Sequence, residues 1–245
     1  MTGPVRSVSQ AFAILRLLAE SGALTLSDIG RFADLSPSSC LNLLKTLVAE
    51  GAVERDARTK QYRLAAAWQA ADALRDPRAA RLADRAQPLM ARFAQNAEAA
   101  VGLWKIVSRD RMELAARAES DAGMRLSLAD GQRQPLGSGA AGRAIAAVQR
   151  VSEAELARRY APVRWQDELP FDAYARQVAA AAGRGFAVDR GYAHRGVCTV
   201  AAGIAGIAPG FCLSASFVAG SRSDAEVEAL GAALVALRDE VILSV

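Results

Sequence analysis

The order of short elements in the first 64 residues constrains this chain more than any other feature. Across residues 7–20, Val8, Phe12, Ile14, Leu15, Leu17 and Leu18 recur at helical spacing, and Gly22 supplies a stop. A short second helix is expected over 25–33, with Thr25 or Ser27 as its cap. After Leu35, Ser36-Pro37 opens a third helix: a capping serine, then a proline at the first helical position, where its missing N–H costs nothing. That helix is expected to turn Leu41, Leu44, Leu47 and Val48 inward and to stop at Gly51. Residues 52–55 and 61–64 then read as two short strands around the polar connection 56–60. Helix, short helix, turn, capped helix and basic hairpin, at this tight spacing, specify a winged helix-turn-helix.

Beyond the hairpin, residues 68–74 and 78–95 read as helices separated by Asp76-Pro77, with the alanine and arginine content of a solvent-bridging linker. Past Ala97 the texture changes to strands at 100–107, 111–117 and 124–128. The segment Gly137-Ser138-Gly139-Ala140-Ala141-Gly142 leads into a helix at 143–148, followed by helices at 152–160 and 171–182 and a strand at 186–189. Residues 197–221 carry no charge, a length able to span a bilayer. Four glycines interrupt the run, however, and Pro209-Gly210 reads as the turn of a buried hairpin with strands at 199–207 and 211–218. Ser223 caps a final helix. Strands interspersed with helices make the fold class α+β, organised as residues 1–66, a linker at 67–79 and a larger domain over 80–245.

Composition bounds the partners. Thirty basic against 26 acidic side chains leave a net charge of +4, which permits a polyanionic partner without requiring one. The three cysteines, Cys40, Cys198 and Cys212, show no metal-ligand spacing, so reduced thiols in a cytoplasm are expected. The start Met1-Thr2-Gly3-Pro4-Val5-Arg6 has no apolar run behind a basic cap, so no signal peptide, membrane partner, metal or cofactor is expected.

Several stretches resemble the IclR (isocitrate-lyase regulator) family of bacterial transcription regulators. The likeness rests on residues 7–15, Leu44-Lys45-Thr46-Leu47, Gly51-Ala52-Val53-Glu54-Arg55-Asp56 and Tyr62-Arg63-Leu64. It continues in 139–144, in Arg184-Gly185-Phe186-Ala187-Val188-Asp189, and in Gly196 with Val200-Ala201-Ala202. The resemblance implies a GAF-like effector-binding domain after the winged helix, double-stranded operator DNA as partner, and a homodimer or a dimer of such dimers.

In a helix-turn-helix the second helix enters the major groove and its N-terminal residues meet base edges. Ser38, Ser39 and Asn42 are therefore the expected base contacts, with Lys45 one turn further suited to a phosphate. Arg55, Arg58, Lys60 and Arg63 on the wing, and Arg6 on an N-terminal arm, are expected to meet the backbone or minor groove. The chain departs from the family at Leu43 and Gln10, where arginine is frequent, and near Ser38, where a basic residue is common.

The ligand-facing set implied by the resemblance is Ala140, Ala141, Asp189, Thr199, Ser214 and Ser216, with Val197, Leu126, Leu128, Leu136 and Trp104 as apolar walls. Free N–H groups at a helix start form a seat for a carboxylate, which supports the two alanines and an organic or aromatic acid as effector. Asp189 has two readings, acceptor for a ligand or cap of a turn. Cys198, one residue before Thr199 on a strand, is expected to face the other way. His194, the only histidine, reads as a surface loop residue.

Two other function classes compete with a regulator. A hydrolase using Cys198, Cys212 or Ser138 has one histidine for every catalytic scheme and no nucleophile elbow, Walker loop or metal cluster. An adaptor whose winged helix binds protein is the other alternative, favoured by the departure at Leu43.

Overall fold

Thr25 and Ser36 each cap a helix in the first of the two units into which the chain divides, Met1–Ala80 and Arg81–Val245. The computed structural model describes residues 5–69, 77–123 and 125–245. Thr25 Oγ1 accepts from the Asp28 N–H to start α2 (Leu26–Phe32), and Ser36 Oγ accepts from the Ser39 N–H to start α3 (Pro37–Ala49). Together with α1 (Arg6–Ser21) these helices enclose Ile14, Leu18, Ile29, Cys40, Leu44 and Leu47. The hairpin of β1 (Val53–Arg55) and β2 (Tyr62–Leu64) adds Val53, Tyr62 and Leu64 to the same core. Leu24 and Tyr62 exchange backbone hydrogen bonds of 2.9 and 2.8 Å, which ties the hairpin to the α1–α2 connection.

Four apolar residues depart from the expected pattern: Val8, Phe12, Leu41 and Val48 are 53, 44, 37 and 38 % exposed. A core this small takes one stripe from each helix. In α3 that stripe is Cys40, Leu44 and Leu47, so Leu41 and Val48, one position round, look sideways. Arg6 is the first residue of α1 rather than part of an extended arm. Of the helix expected at 68–74, only α4 (Ala66–Gln69) is described; residues 70–74, and the linker as far as 76, lie outside the described residues.

The second unit follows α5 (Pro77–Ala97) with a six-stranded antiparallel sheet in the order β5-β4-β3-β8-β7-β6. Its strands are β3 (Ala100–Ser108), β4 (Arg111–Ala118), β5 (Arg133–Pro135), β6 (Ala187–Arg190), β7 (Val197–Ile204) and β8 (Phe211–Val218). The charge-free run is thus the β7–β8 hairpin, and no helix among the described residues is long and apolar enough to cross a membrane. Between β5 and β6 come α6 (Gly139–Val148), α7 (Glu153–Tyr160) and α8 (Phe171–Arg184), and α9 (Asp224–Leu243) closes the chain behind a Ser223–Glu226 capping box.

Two expectations are corrected here. Residues 125–128 form no strand; β4 already pairs with β3 and β5, and the Leu128 N–H goes to the Glu119 side chain. The alternation there records one buried side, not a ladder. The helix expected from Arg143 begins at Gly139, so the glycine-rich segment is itself the first turn of α6.

Close approach fixes where that turn sits. A Cβ on Gly203 of β7 would lie 2.6 Å from the Ala144 carbonyl oxygen, so α6 backbone rests directly on the sheet. The register pairs Thr199 with Ser216, Ala201 with Ser214 and Gly203 with Cys212, placing these six on the face that carries α6.

Candidate DNA-reading face and effector cavity

On α3 the residues opposite the buried stripe are Ser38, Asn42 and Lys45, spaced to form one exposed row, with Ser39 beside them. Ser39 is also held by the cap: its Oγ accepts from Ser36 Oγ at 2.9 Å, while Ser38 Oγ lies 3.2 Å from the same hydroxyl. Asn42 and Lys45 point to solvent from the second and third turns, positions where an amide and an ammonium meet a base edge and a phosphate. The wing turns at residues 56–60, where Asp56 Oδ1 accepts from the N–H groups of Arg58 and Thr59. These two bonds hold the Asp56 carboxyl below its usual range. Arg58 and Lys60 are exposed at that tip, and the Arg55 guanidinium lies 5.6 Å from the Tyr62 ring centre. Arg63 pairs across the hairpin with Glu54 at 2.9 Å, an exposed contact weak enough to exchange for a phosphate.

In the second unit a cavity of about 240 Å³ opens between the first turn of α6, β7–β8 and the loop after β6. Ala140, Ala141, Asp189, Val197, Thr199, Ser214 and Ser216 all line it, together with Trp104, Leu126 and Leu128. Leu136 lies beneath in the core instead, and Cys198 faces away from the cavity beside Phe217. His194 is exposed on its loop and also stands on the rim. The loop tightens through Asp189, whose Oδ1 accepts from the N–H groups of Gly191 and Ala193 at 3.0 and 3.3 Å.

The hydroxyls are mutually satisfied. Ser214 Oγ accepts from Trp104 Nε1 at 2.9 Å, and Thr199 and Ser216 share a hydrogen bond of 2.9 Å. Ser138 caps α6 with no side-chain bond, leaving the cavity facing the start of a ten-residue helix.

Arg143 is the residue that sequence reading passed over. It is fully buried, donates from Nη2 to Asp189 Oδ2 at 2.6 Å and to the Val188 carbonyl at 3.1 Å, and its Cζ lies 6.0 and 5.8 Å from the Trp165 and Tyr174 rings. A signal existed: Arg143 is the one charge in Gly139-Ala140-Ala141-Gly142-Arg143-Ala144-Ile145-Ala146-Ala147-Val148, and a cation alone on a helix this apolar needs a buried partner. Among the described residues Asp189 is the only carboxylate on the cavity wall, and Arg143 neutralises it from behind. The cavity therefore offers N–H groups, hydroxyls and apolar surface, with no unpaired negative charge to repel an acid.

The two thiols weighed as nucleophiles are unsuited to the task. Cys198 and Cys212 are buried, and burial pushes both thiols above their usual range, away from the reactive thiolate. Among the described residues no cluster of three or more His, Cys, Asp or Glu side chains is arranged for a metal.

Comparison with known proteins gives concordant matches. Residues 7–57 match the model of the IclR helix-turn-helix domain, and residues 78–239 match that of the bacterial transcriptional regulator IclR C-terminal domain. The HTH-type transcriptional regulator BhcR of Paracoccus denitrificans is 28% identical over 246 residues, spanning 98% of this chain and 85% of that protein. An IclR-type regulator from Alicyclobacillus acidocaldarius superposes with a TM-score of 0.59 at 23% identity, covering 99% of both chains. An IclR homologue from Microbacterium hydrocarbonoxydans, solved with 4-hydroxybenzoate, gives 0.56 at 23% identity over 96% of this chain and 99% of that one. These two structures share the fold.

Proposed function

Because the chain belongs to the IclR family of DNA-binding transcriptional regulators, we propose that it is a repressor of a small-molecule catabolic operon, released or re-oriented on its operator when a small organic or aromatic acid fills the cavity. One observation carries the effector class: the α6 N-terminus faces a cavity whose carboxylate, Asp189, is already neutralised by Arg143. The Microbacterium homologue holding an aromatic hydroxy acid supports the same chemistry.

On the DNA side, Ser38, Ser39, Asn42 and Lys45 read the major groove while Arg6, Arg55, Arg58, Lys60 and Arg63 meet the backbone. The exposed row Val5, Val8 and Phe12 on the α1 side supports a homodimer joined through the winged helices, which sets two recognition helices on one face of DNA. Effector binding shifts their spacing through a coupling of about 1–3 kcal/mol, enough for a several-fold change in occupancy.

The test is a fluorescence titration of the full chain with benzoate, 4-hydroxybenzoate, pyruvate and the uncharged control benzamide, using Trp104 on the cavity wall as reporter. Saturable quenching or enhancement by an acid but not by benzamide supports the reading. A flat response to every acid contradicts it.

A further inference from the structure

The cavity does not end at its rim. Gln132, Gln134, Ser138 and His194 line it and also line an adjoining open groove of about 480 Å³. That groove is basic: Arg111, Arg133 and Arg164 stand on its walls and, among the described residues, no Asp or Glu does. The neighbouring carboxylates are paired, one of them with Arg133 of the groove itself. Glu113 holds Arg133 at 2.5 Å, Asp167 holds Arg195 at 2.9 Å, and Asp110 pairs with Arg158. Arg111 and Arg164, both exposed, form no ion pair among the described residues.

We infer that the groove is a second acid-binding subsite, in which Arg111 and Arg164 take the distal oxyanion of an effector whose first acidic group sits at the start of α6. The inference rests on the cavity being the effector site. A guanidinium presents forked donors that match a carboxylate or a phosphate-type group bidentately. Two of them on a wall without an acidic lining residue raise the positive potential beside the cavity. Ser138 and His194 line both groove and cavity, so the two adjoin, and the inferred ligand is a chain with an acid at each end that reaches across these residues. The ligand class is accordingly an elongated diacid, its second group a carboxylate or a phosphonate-like anion.

Calorimetric titration of the full chain tests this with matched pairs. Glutarate, adipate and pimelate are compared with pentanoate, hexanoate and heptanoate, and 5-phosphonopentanoate with pentanoate. In the native chain at least one two-ended acid binds about tenfold more tightly than its one-ended partner. In the double variant Arg111→Gln/Arg164→Gln that gap closes to about twofold while one-ended acids keep their affinity. A gap in the dicarboxylate pairs alone identifies a carboxylate subsite, and one in the phosphonate pair alone a phosphate-type subsite; either supports the inference. Equal binding within every pair, or a gap that survives in the double variant, overturns it. Binding of the one-ended acids with no gap leaves the cavity reading standing; binding of no acid at all overturns both.

Discussion

Arg143 Nη2 and Asp189 Oδ2 meet at 2.6 Å with both side chains essentially sealed from solvent, joining the fifth residue of helix α6 to the strand that leads into the cavity loop. Removing one partner of such a pair strands a buried charge. Arg143→Met is expected to lose about 3–5 kcal/mol of stability, and adding Asp189→Asn to recover part of it. The same variant loosens the loop that Asp189 Oδ1 caps, so the Gly191 and Ala193 amides exchange faster. Urea midpoints and hydrogen exchange check this; an Arg143→Met protein as stable as the native one contradicts it.

Ser214 satisfies the indole of Trp104 inside the cavity wall. Ser214→Ala removes the acceptor and leaves a buried N–H unpaired, a loss of about 1–3 kcal/mol. Trp104 emission is expected to shift with it, because the indole N–H loses its acceptor. An unchanged melting temperature and emission spectrum would show that the bond contributes nothing.

Glu155 gives a pH signature. Burial raises its carboxyl, but hydrogen bonds from Arg158 and Arg159 outweigh that and bring it from 4.5 down to about 2. The folded value lies below the unfolded one, so this stabilisation is complete above about pH 4.5 and is lost as pH falls through about 2. Its full size is roughly 3 kcal/mol, less the cost of burying Arg159, which burial pulls below its usual value. Glu155→Gln is expected to be less stable at pH 7 and to converge on the native chain near pH 2, as read by denaturation across that range. A constant difference from pH 7 to 2 speaks against the ion pair.

The dimer prediction is simple. Phe12 is 44 % exposed beside Val5 and Val8, so Phe12→Glu adds charge to an apolar row without touching the core. The variant is expected to run as a monomer in analytical ultracentrifugation with near-native helicity. If it sediments as the native chain does, α1 is not the seam.

Sequence legibility followed the kind of signal. Caps at Ser36 and Ser223 were readable because a side-chain oxygen before a helix has one common use, and each accepts a backbone N–H as expected; of the two candidates Thr25 and Ser27, Thr25 is the cap. The β7–β8 hairpin was readable from Pro209-Gly210: β8 has the expected bounds, while β7 begins two residues and ends three residues earlier than expected. The strand expected at 124–128 was misread over its described residues, 125–128, because alternation also arises where a loop lines a cavity, as Leu126 and Leu128 do. Cavity residues were reached through family likeness, whereas Arg143, Gln132 and Gln134 were missed. Their positions depend on how α6 and β5 meet the sheet, which no local pattern encodes.

The most direct measurement is fluorescence anisotropy of the full chain on DNA from upstream of its own coding sequence, over a salt series, with and without the acid selected by titration. Saturable binding that falls steeply with salt, survives excess random DNA and weakens several-fold with the acid is the predicted result. Replacing Lys45 by Ala should lower the salt slope by about 1 if that ammonium holds a phosphate. Binding no tighter than to random DNA, or specific binding indifferent to every acid that enters the cavity, contradicts a ligand-responsive regulator of this region.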